Sequence, residues 1–280
     1  MADAGALRML MSHAVEASRD SKSTASWYIC TMRYRVSQPH PRGMTTHSFP
    51  STTVPSSEPG RAPLSRGIQI IVGVSLVAAG LTNGLAQYVG ELLMPTHDDF
   101  TDQIRWGAEH PALHVAEQTA LVVSMLVLPI GLIGLAQLTR WGAPRLTAVA
   151  AVLIVWGMWG FHNVVALGYA AGTVGPDAIG VDAAAELNEA YLGHAGTMVI
   201  ALLPHLLGSF LGLLLLAVAG WRSRTLPRIP LALLVTFLIW DFGLPAAPPF
   251  EPHVLLAVAL GWLGVHVIRL PQSRWHGRTA

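Results

Sequence analysis

The chain has 280 residues, of which 52% are hydrophobic and only 12% charged, against roughly a quarter charged in soluble domains. That balance excludes an ordinary soluble globule, and a net charge of +1 gives no electrostatic case for a nucleic-acid partner. The single cysteine, Cys30, excludes an internal disulfide and any cysteine-based metal or iron–sulfur centre.

Residues Met1–Arg66 are rich in Ser, Thr, Pro and Arg and show no helical or strand period. The stretch SFPSTTVPSSEPGRAPLSR offers too little apolar surface to offset its ordering entropy, so a disordered cytoplasmic tail is expected. No continuous apolar run ending at a small-residue cleavage site marks a secretory signal, and Met44 is a candidate alternative start.

From Gly67 onward, apolar segments of about 20 residues recur, the length that carries a helix across ~30 Å of hydrocarbon. They fall at Gly67–Met94, Ala112–Leu138, Leu146–Ala171, Gly196–Trp221, Ile229–Ala246 and His253–Leu270. The expected fold is all-α: a polytopic bundle of six transmembrane helices over 67–270, followed by a short cytoplasmic tail at 271–280. The fifth segment is short and ends at Pro245, while Pro129 and Pro204 are expected to kink the second and fourth.

The connecting segments alternate in charge. Arg61, Arg66, Arg140, Arg145, Arg222, Arg224, Arg228, Arg269, Arg274 and Arg278 fall on one side. Asp98, Asp99, Asp102, Glu109, Asp177, Asp182, Glu186, Glu189 and Glu251 fall on the other, with Arg105 alone among them. The positive-inside rule then puts both termini in the cytoplasm, in the plasma membrane of a bacterium. Close helix contacts are expected at Gly208 and Gly212, at Gly131 and Gly134, and at Gly157 and Gly160.

Polar residues cluster in the outer half of the six segments. Asp241 lies between Trp240 and Phe242 in LIWDFGLP, and Glu117 lies near the outer end of the second segment, close to His114. A carboxyl at such depth costs about 2.5–3.5 kcal/mol on insertion scales, so it faces the bundle interior and carries a task. His162 and His205 sit near mid-depth, and Asn83, Gln87 and Glu91 form a stripe at i, i+4 and i+8. Glu91, His194 and His253 also suit the headgroup region. Asn83, Gln87 and the histidines also suit the plainer role of bonding a neighbouring helix, and Trp156, Trp159 and Trp262 that of packing.

The asymmetry argues for a cavity open to the outer face. A carboxyl in apolar surroundings is a general acid because its charged form is disfavoured. Two acids from separate helices, with indole faces to hold a cation, suit protonation of an alkene or epoxide in a lipophilic isoprenoid. In kind, paired Glu117 and Asp241 in a multi-span protein resemble the integral-membrane terpene cyclases of meroterpenoid pathways, though six spans are fewer than that family's. The resemblance implies acid-initiated cyclisation without metal or organic cofactor, with Asp241 as donor and Glu117 as its partner or the terminal base. Trp156, Trp159 and Trp240 would steady cations, and His162, His205, Asn83 and Gln87 would line the substrate site. A wider likeness runs from about Gly67 to Leu270. HPALHVAEQTALVVSMLVLPIGLIGLAQLTR and LGSFLGLLLLAVAGWRSRTLPRIPLALL, with the turn Trp221–Arg228, resemble a family of uncharacterised actinobacterial multi-span proteins. The acid-bearing LIWDFGLP is less typical of that pattern.

Other classes compete. His162 and His205 on consecutive helices suit axial ligation of a b-type haem, but one pair falls short of a transmembrane relay. A proton-coupled small-molecule transporter would use the intramembrane acids, yet the inner half offers no polar path and no repeat is evident. A metal hydrolase could draw on His114, Glu117, His162 and His205 but lacks HExxH-type spacing. A non-catalytic accessory or immunity protein needs none of these groups.

Overall fold

The structure, a computed structural model, describes residues 65–93, 100–244 and 251–276. The tail expected to be disordered lies outside the described residues except for its last two positions, and so do residues 277–280 of the expected C-terminal tail.

Every regular element among the described residues is a helix, as the apolar periodicity predicts. In chain order these are α1 (Arg66–Leu93), α2 (Phe100–Glu109), α3 (Pro111–Thr139), α4 (Pro144–Ile179), α5 (Val181–Gly193), α6 (Ala195–Ser223), α7 (Arg228–Gly243), α8 (His253–Arg269) and α9 (Gln272–Trp275). Four of them, α1, α3, α4 and α6, are long and apolar enough to cross a membrane. The expected fifth and sixth segments form α7 and α8, of 16 and 17 residues. At 1.5 Å per residue each is about 25 Å long, somewhat short of ~30 Å of hydrocarbon.

Packing follows chain order: α1 touches α3, then α3 touches α4, α4 touches α6, α6 touches α7, α7 touches α8, and α8 returns to α1. Six helices thus close a ring, and neighbours alternate in direction. Gly73 meets Gly264 while Gly84 meets Ala257 across α1 and α8. Gly157 meets Gly208 while Gly160 meets Ala201 and His205 across α4 and α6. A Cβ on Gly157 would lie 2.3 Å from the Ser209 backbone nitrogen, so hydrogen is what lets these two backbones touch. The expected close patches are therefore real at α4 and α6. The α1–α8 seam, equally close, was missing from that expectation.

The interior is leucine. Leu76, Leu132, Leu135, Ile154, Leu216, Leu234, Leu260 and Leu263 are at most 1% exposed. Apolar residues also cover the outside, where Leu126, Val152 and Val199 are more than 60% exposed. A water-soluble bundle would put polar residues there, so this double-sided hydrophobicity is the mark of a membrane protein.

Charge is confined to the two ends. Among the described residues, Arg66, Arg140, Arg145, Arg222, Arg224, Arg228, Arg269 and Arg274 gather at one end. Every described Asp and Glu belongs to the other end, with Arg105. At the acidic end α2 and α5 pack together through Ile104, Ala184 and Ala185, and Arg105 bridges Asp102 at 2.9 Å and Asp182 at 3.5 Å. These two helices replace what charge alone marked as loops. Their signal was the apolar spacing Val181, Ala184, Ala185 at i, i+3 and i+4.

Pro129 lies within an uninterrupted α3, whereas Pro204 opens a wide i→i+5 turn over Pro204–Ser209. Similar wide turns occur at Gly80–Leu85, Ala170–Val174 and Met198–Leu202. Pro204 lacks an N–H, so the Ile200 carbonyl loses its α-helical donor, and Asn163 Nδ2 donates to it at 3.5 Å.

One polar side chain ties the arginine end shut. Gln69 is fully buried, and its Nε2 donates to the carbonyls of Val267 at 2.6 Å and Leu270 at 2.7 Å, while its Oε1 accepts from Gln272. Gln69→Leu removes the partner of the Gln272 amide and the shortest bonds to the Val267 and Leu270 carbonyls, which keep the Leu270 N–H at 3.2 Å and Arg66 Nη1 at 3.3 Å respectively. We expect a loss of about 1–3 kcal/mol, read as a lower midpoint of thermal unfolding in detergent.

Candidate functional site

Asp241 lies near the acidic end of α7, half-buried, and its sequence neighbour Phe242 points into a stack built by three helices. The Phe242 ring lies 5.5 Å from Phe210 and 6.4 Å from His205, and His205 stacks on Phe161 at 5.2 Å with a 26° interplanar angle. The wide turns of α6 set His205 here, and Ser209 Oγ lies 3.4 Å from its Nδ1.

Among the described residues, His253 and Glu251, at the start of α8, lie within electrostatic reach of Asp241. Glu91 on α1 lies within electrostatic reach of the same three and of Glu117 on α3. Gly90 makes room for that carboxyl, since a Cβ there would lie 2.8 Å from Glu117 Oε1. Four carboxyls and an imidazole, from α1, α3, α7 and the start of α8, therefore share one end of the ring. Glu117 and Asp241, the acid pair expected from the sequence, lie at this same end, with Glu91 within electrostatic reach of each.

Glu251 and His253 form a hydrogen-bonded pair within this cluster. His253 Nδ1–H donates to Glu251 Oε1 at 2.6 Å, and the His253 backbone N–H donates to Oε2 at 3.2 Å. Both side chains are 12% exposed, and the Phe237 ring meets the imidazole edge-on at 5.4 Å. Such a bond fixes the tautomer: with the proton held on Nδ1 by the carboxylate, Nε2 is left as an acceptor.

The other expected site residues divide. Asn83 is buried on α1, but its Nδ2 donates to Ser124 Oγ on α3 at 3.3 Å, so its bond serves helix packing. Gln87 and Trp240 are half-buried. Trp159 is 62% exposed, Trp156 is 38% exposed and His162 is exposed, all on the outward face of α4. The reason is helical phase. Gly157, Gly160 and Phe161 face α6, so residues one position before Gly157, two after it or one after Phe161 rotate outward. The structure does not bring those three to the acids, and His162 does not share a face with His205. Among the described residues no group of three or more His, Cys, Asp or Glu could hold a metal ion. His114 turns aside as well, its Nε2 lying 3.1 Å from Thr173 Oγ1.

Sequence reasoning missed the weight of Glu91, Glu251 and His253, and of Phe161, Phe210 and Phe242. The readable signal was Glu251-Pro252-His253 at the start of an apolar helix, where a carboxylate two residues ahead can cap the first turn. The aromatic partners carried no such signal, because their meeting depends on the wide turns of α6.

No protein-family model, no curated protein and no solved structure matches the chain. Class and chemistry therefore rest on geometry: an all-helical, membrane-type bundle with a half-buried acid–imidazole cluster beside stacked aromatic rings.

Proposed function

We propose that the six ring helices all cross the plasma membrane of a bacterium, with both chain termini in the cytoplasm and the acidic end outside. The separation of eight arginines from every described carboxylate supports this orientation. Helices of about 25 Å span where the bilayer thins slightly, at a cost of fractions of a kcal/mol per Å. Single cysteines placed in a Cys30→Ser background test it. Glu189→Cys should react with an impermeant maleimide on intact cells, and Arg224→Cys only after permeabilisation. Labelling of both on intact cells would overturn the orientation.

Within that frame, the outer cluster acts on a lipophilic isoprenoid by acid-initiated cyclisation. The observation that carries this reading is the convergence of Asp241, the Glu251–His253 pair and the aromatic group of Phe161, Phe210 and Phe242. Asp241 would give its proton to a terminal alkene carbon or an epoxide oxygen. An internal double bond then attacks the cation, forming a carbon–carbon bond while the charge moves along the chain. Aromatic faces hold that charge through their quadrupole. Loss of a proton to the Glu91–Glu117 pair ends the sequence, and that same proton returns to Asp241 through His253, whose Nε2, left as an acceptor by the Glu251 bond, takes it up and hands it on. Substrate and product are isomers, so no co-reactant is needed.

A carrier that passes solute through the ring fits less well, because the arginine-end half is closed by leucines at most 1% exposed. Membranes containing the protein, supplied with prenylated indoles or cyclic dipeptides with and without a terminal epoxide, should yield isomers of unchanged mass. No isomer from any of them, with the protein folded, would reject the cyclisation.

A further inference from the structure

The arginine end carries a groove of a different kind. It runs between α6 and α7, lined by Val218, Trp221 and Arg222 on one side and Leu231, Val235 and Thr236 on the other, with Ala217 and Ala232 as its shallow floor and wall. From Arg228 to Thr236 it follows about 12 Å of helix, the depth of the upper part of a lipid acyl chain. At its mouth, Arg228 lies over the Trp221 ring, with its guanidinium carbon 5.6 Å from the centroid. Arg222 borders the same mouth, and Arg224 follows in a left-handed turn at φ 55°. All three arginines are exposed, and no carboxylate among the described residues pairs with any of them.

We propose that this groove is a binding site for a phospholipid with an anionic head group. Arg222 and Arg228 bind the phosphate and any further head-group charge, and one acyl chain lies along Val218, Leu231, Ala232 and Val235. Charge complementarity selects this occupant. A bilayer leaflet supplies apolar chains everywhere, but only an anionic head group answers two guanidiniums that no described carboxylate pairs, one of them held over an interfacial tryptophan. Arg228 is also pre-positioned, since stacking on Trp221 limits its rotamers before the lipid arrives. The small side chains of Ala217 and Ala232 keep α6 and α7 from filling the cleft themselves. The proposal rests on the arginine end lying at a membrane surface, and is independent of the chemistry at the acidic end.

The test measures lipid binding to detergent-solubilised full-length protein by native mass spectrometry. Phosphatidylglycerol and phosphatidylcholine of equal chain length serve as probes. Wild type should retain phosphatidylglycerol in preference to phosphatidylcholine. The double change R222Q/R228Q should weaken that retention about 30-fold, from roughly fivefold per interfacial arginine. Arg145→Gln, at another corner of the same end, should leave it within twofold. Equal losses in both variants would overturn the site in favour of diffuse attraction to the basic surface. Equal retention of the two lipids by wild type would overturn it outright. A third variant, Ala232→Trp, fills the groove without changing charge. It should expel the lipid, and unchanged binding would show that the chain does not lie there.

Discussion

Gly157→Ala is expected to be among the most damaging single substitutions in the chain. Its added methyl would stand 2.3 Å from the Ser209 backbone nitrogen and 2.5 Å from the Gly208 carbonyl carbon, neither of which can swing aside as a side-chain tip could. Relief requires α4 and α6 to separate along their whole contact. Overpacking of this kind costs about 3 kcal/mol, and the midpoint of thermal unfolding in detergent should fall by roughly 10 °C. Gly168→Ala in the same helix is the control. A Cβ there meets nothing within 4 Å, so the change should be neutral or slightly stabilising through helix propensity. Similar losses at both positions would show that the two helices do not touch as described. Separation of α4 from α6 would also part His205 from Phe161, so the same variant should impair whatever the acidic end does.

Asp241→Asn is expected to remove product formation while leaving the fold intact. Asparagine keeps the size and bonding of the side chain but has no transferable proton. The loss should reach about 10²–10⁴-fold, the usual weight of a positioned acid. Glu251→Gln should cost less, because His253 remains near Asp241 but loses the carboxylate 2.6 Å from its Nδ1 that fixes its tautomer. Phe242→Leu should shift the product pattern towards early-terminated isomers by removing one of the cation-holding rings. Trp159→Ala, a position the sequence suggested for that role, should do little, since its ring is directed away from the cluster. Measured isomer yield per unit of folded protein checks the series. Full activity in Asp241→Asn would remove the donor role, and a dependence on Trp159 would point to a site on the outer face of α4.

What the sequence made legible was whatever depends on average composition over a helix. Alternating charge between segments foretold the sorting of arginines from carboxylates, and a 20-residue apolar period foretold the helices. Phase was harder. Trp156, Trp159 and His162 are adjacent in sequence to residues that do face inward, and a shift of one or two positions on a helix that is apolar all round leaves no trace in composition. The glycines at 157 and 160 held the missing information, because they mark the face that packs. Glu117 and Asp241 were singled out for their depth alone. Glu91, within electrostatic reach of each, could have been found only by knowing that α1 lies between α3 and α8 in the ring.

The wide turns of α6 have a consequence for how the chain tolerates changes in its length. A turn closed by an i→i+5 bond holds one residue more than an α-helical turn, so deleting a residue from Pro204–Ser209 can be absorbed by a return to ordinary winding. The same deletion in the leucine-rich stretch from Phe210 to Ser223 would rotate everything beyond it by about 100° and turn its core face towards lipid. Length variation is thus admissible next to His205 and forbidden a few residues later. The aromatic stack can be re-aimed by indels in one half of the helix, while the other half stays locked in register with its neighbours.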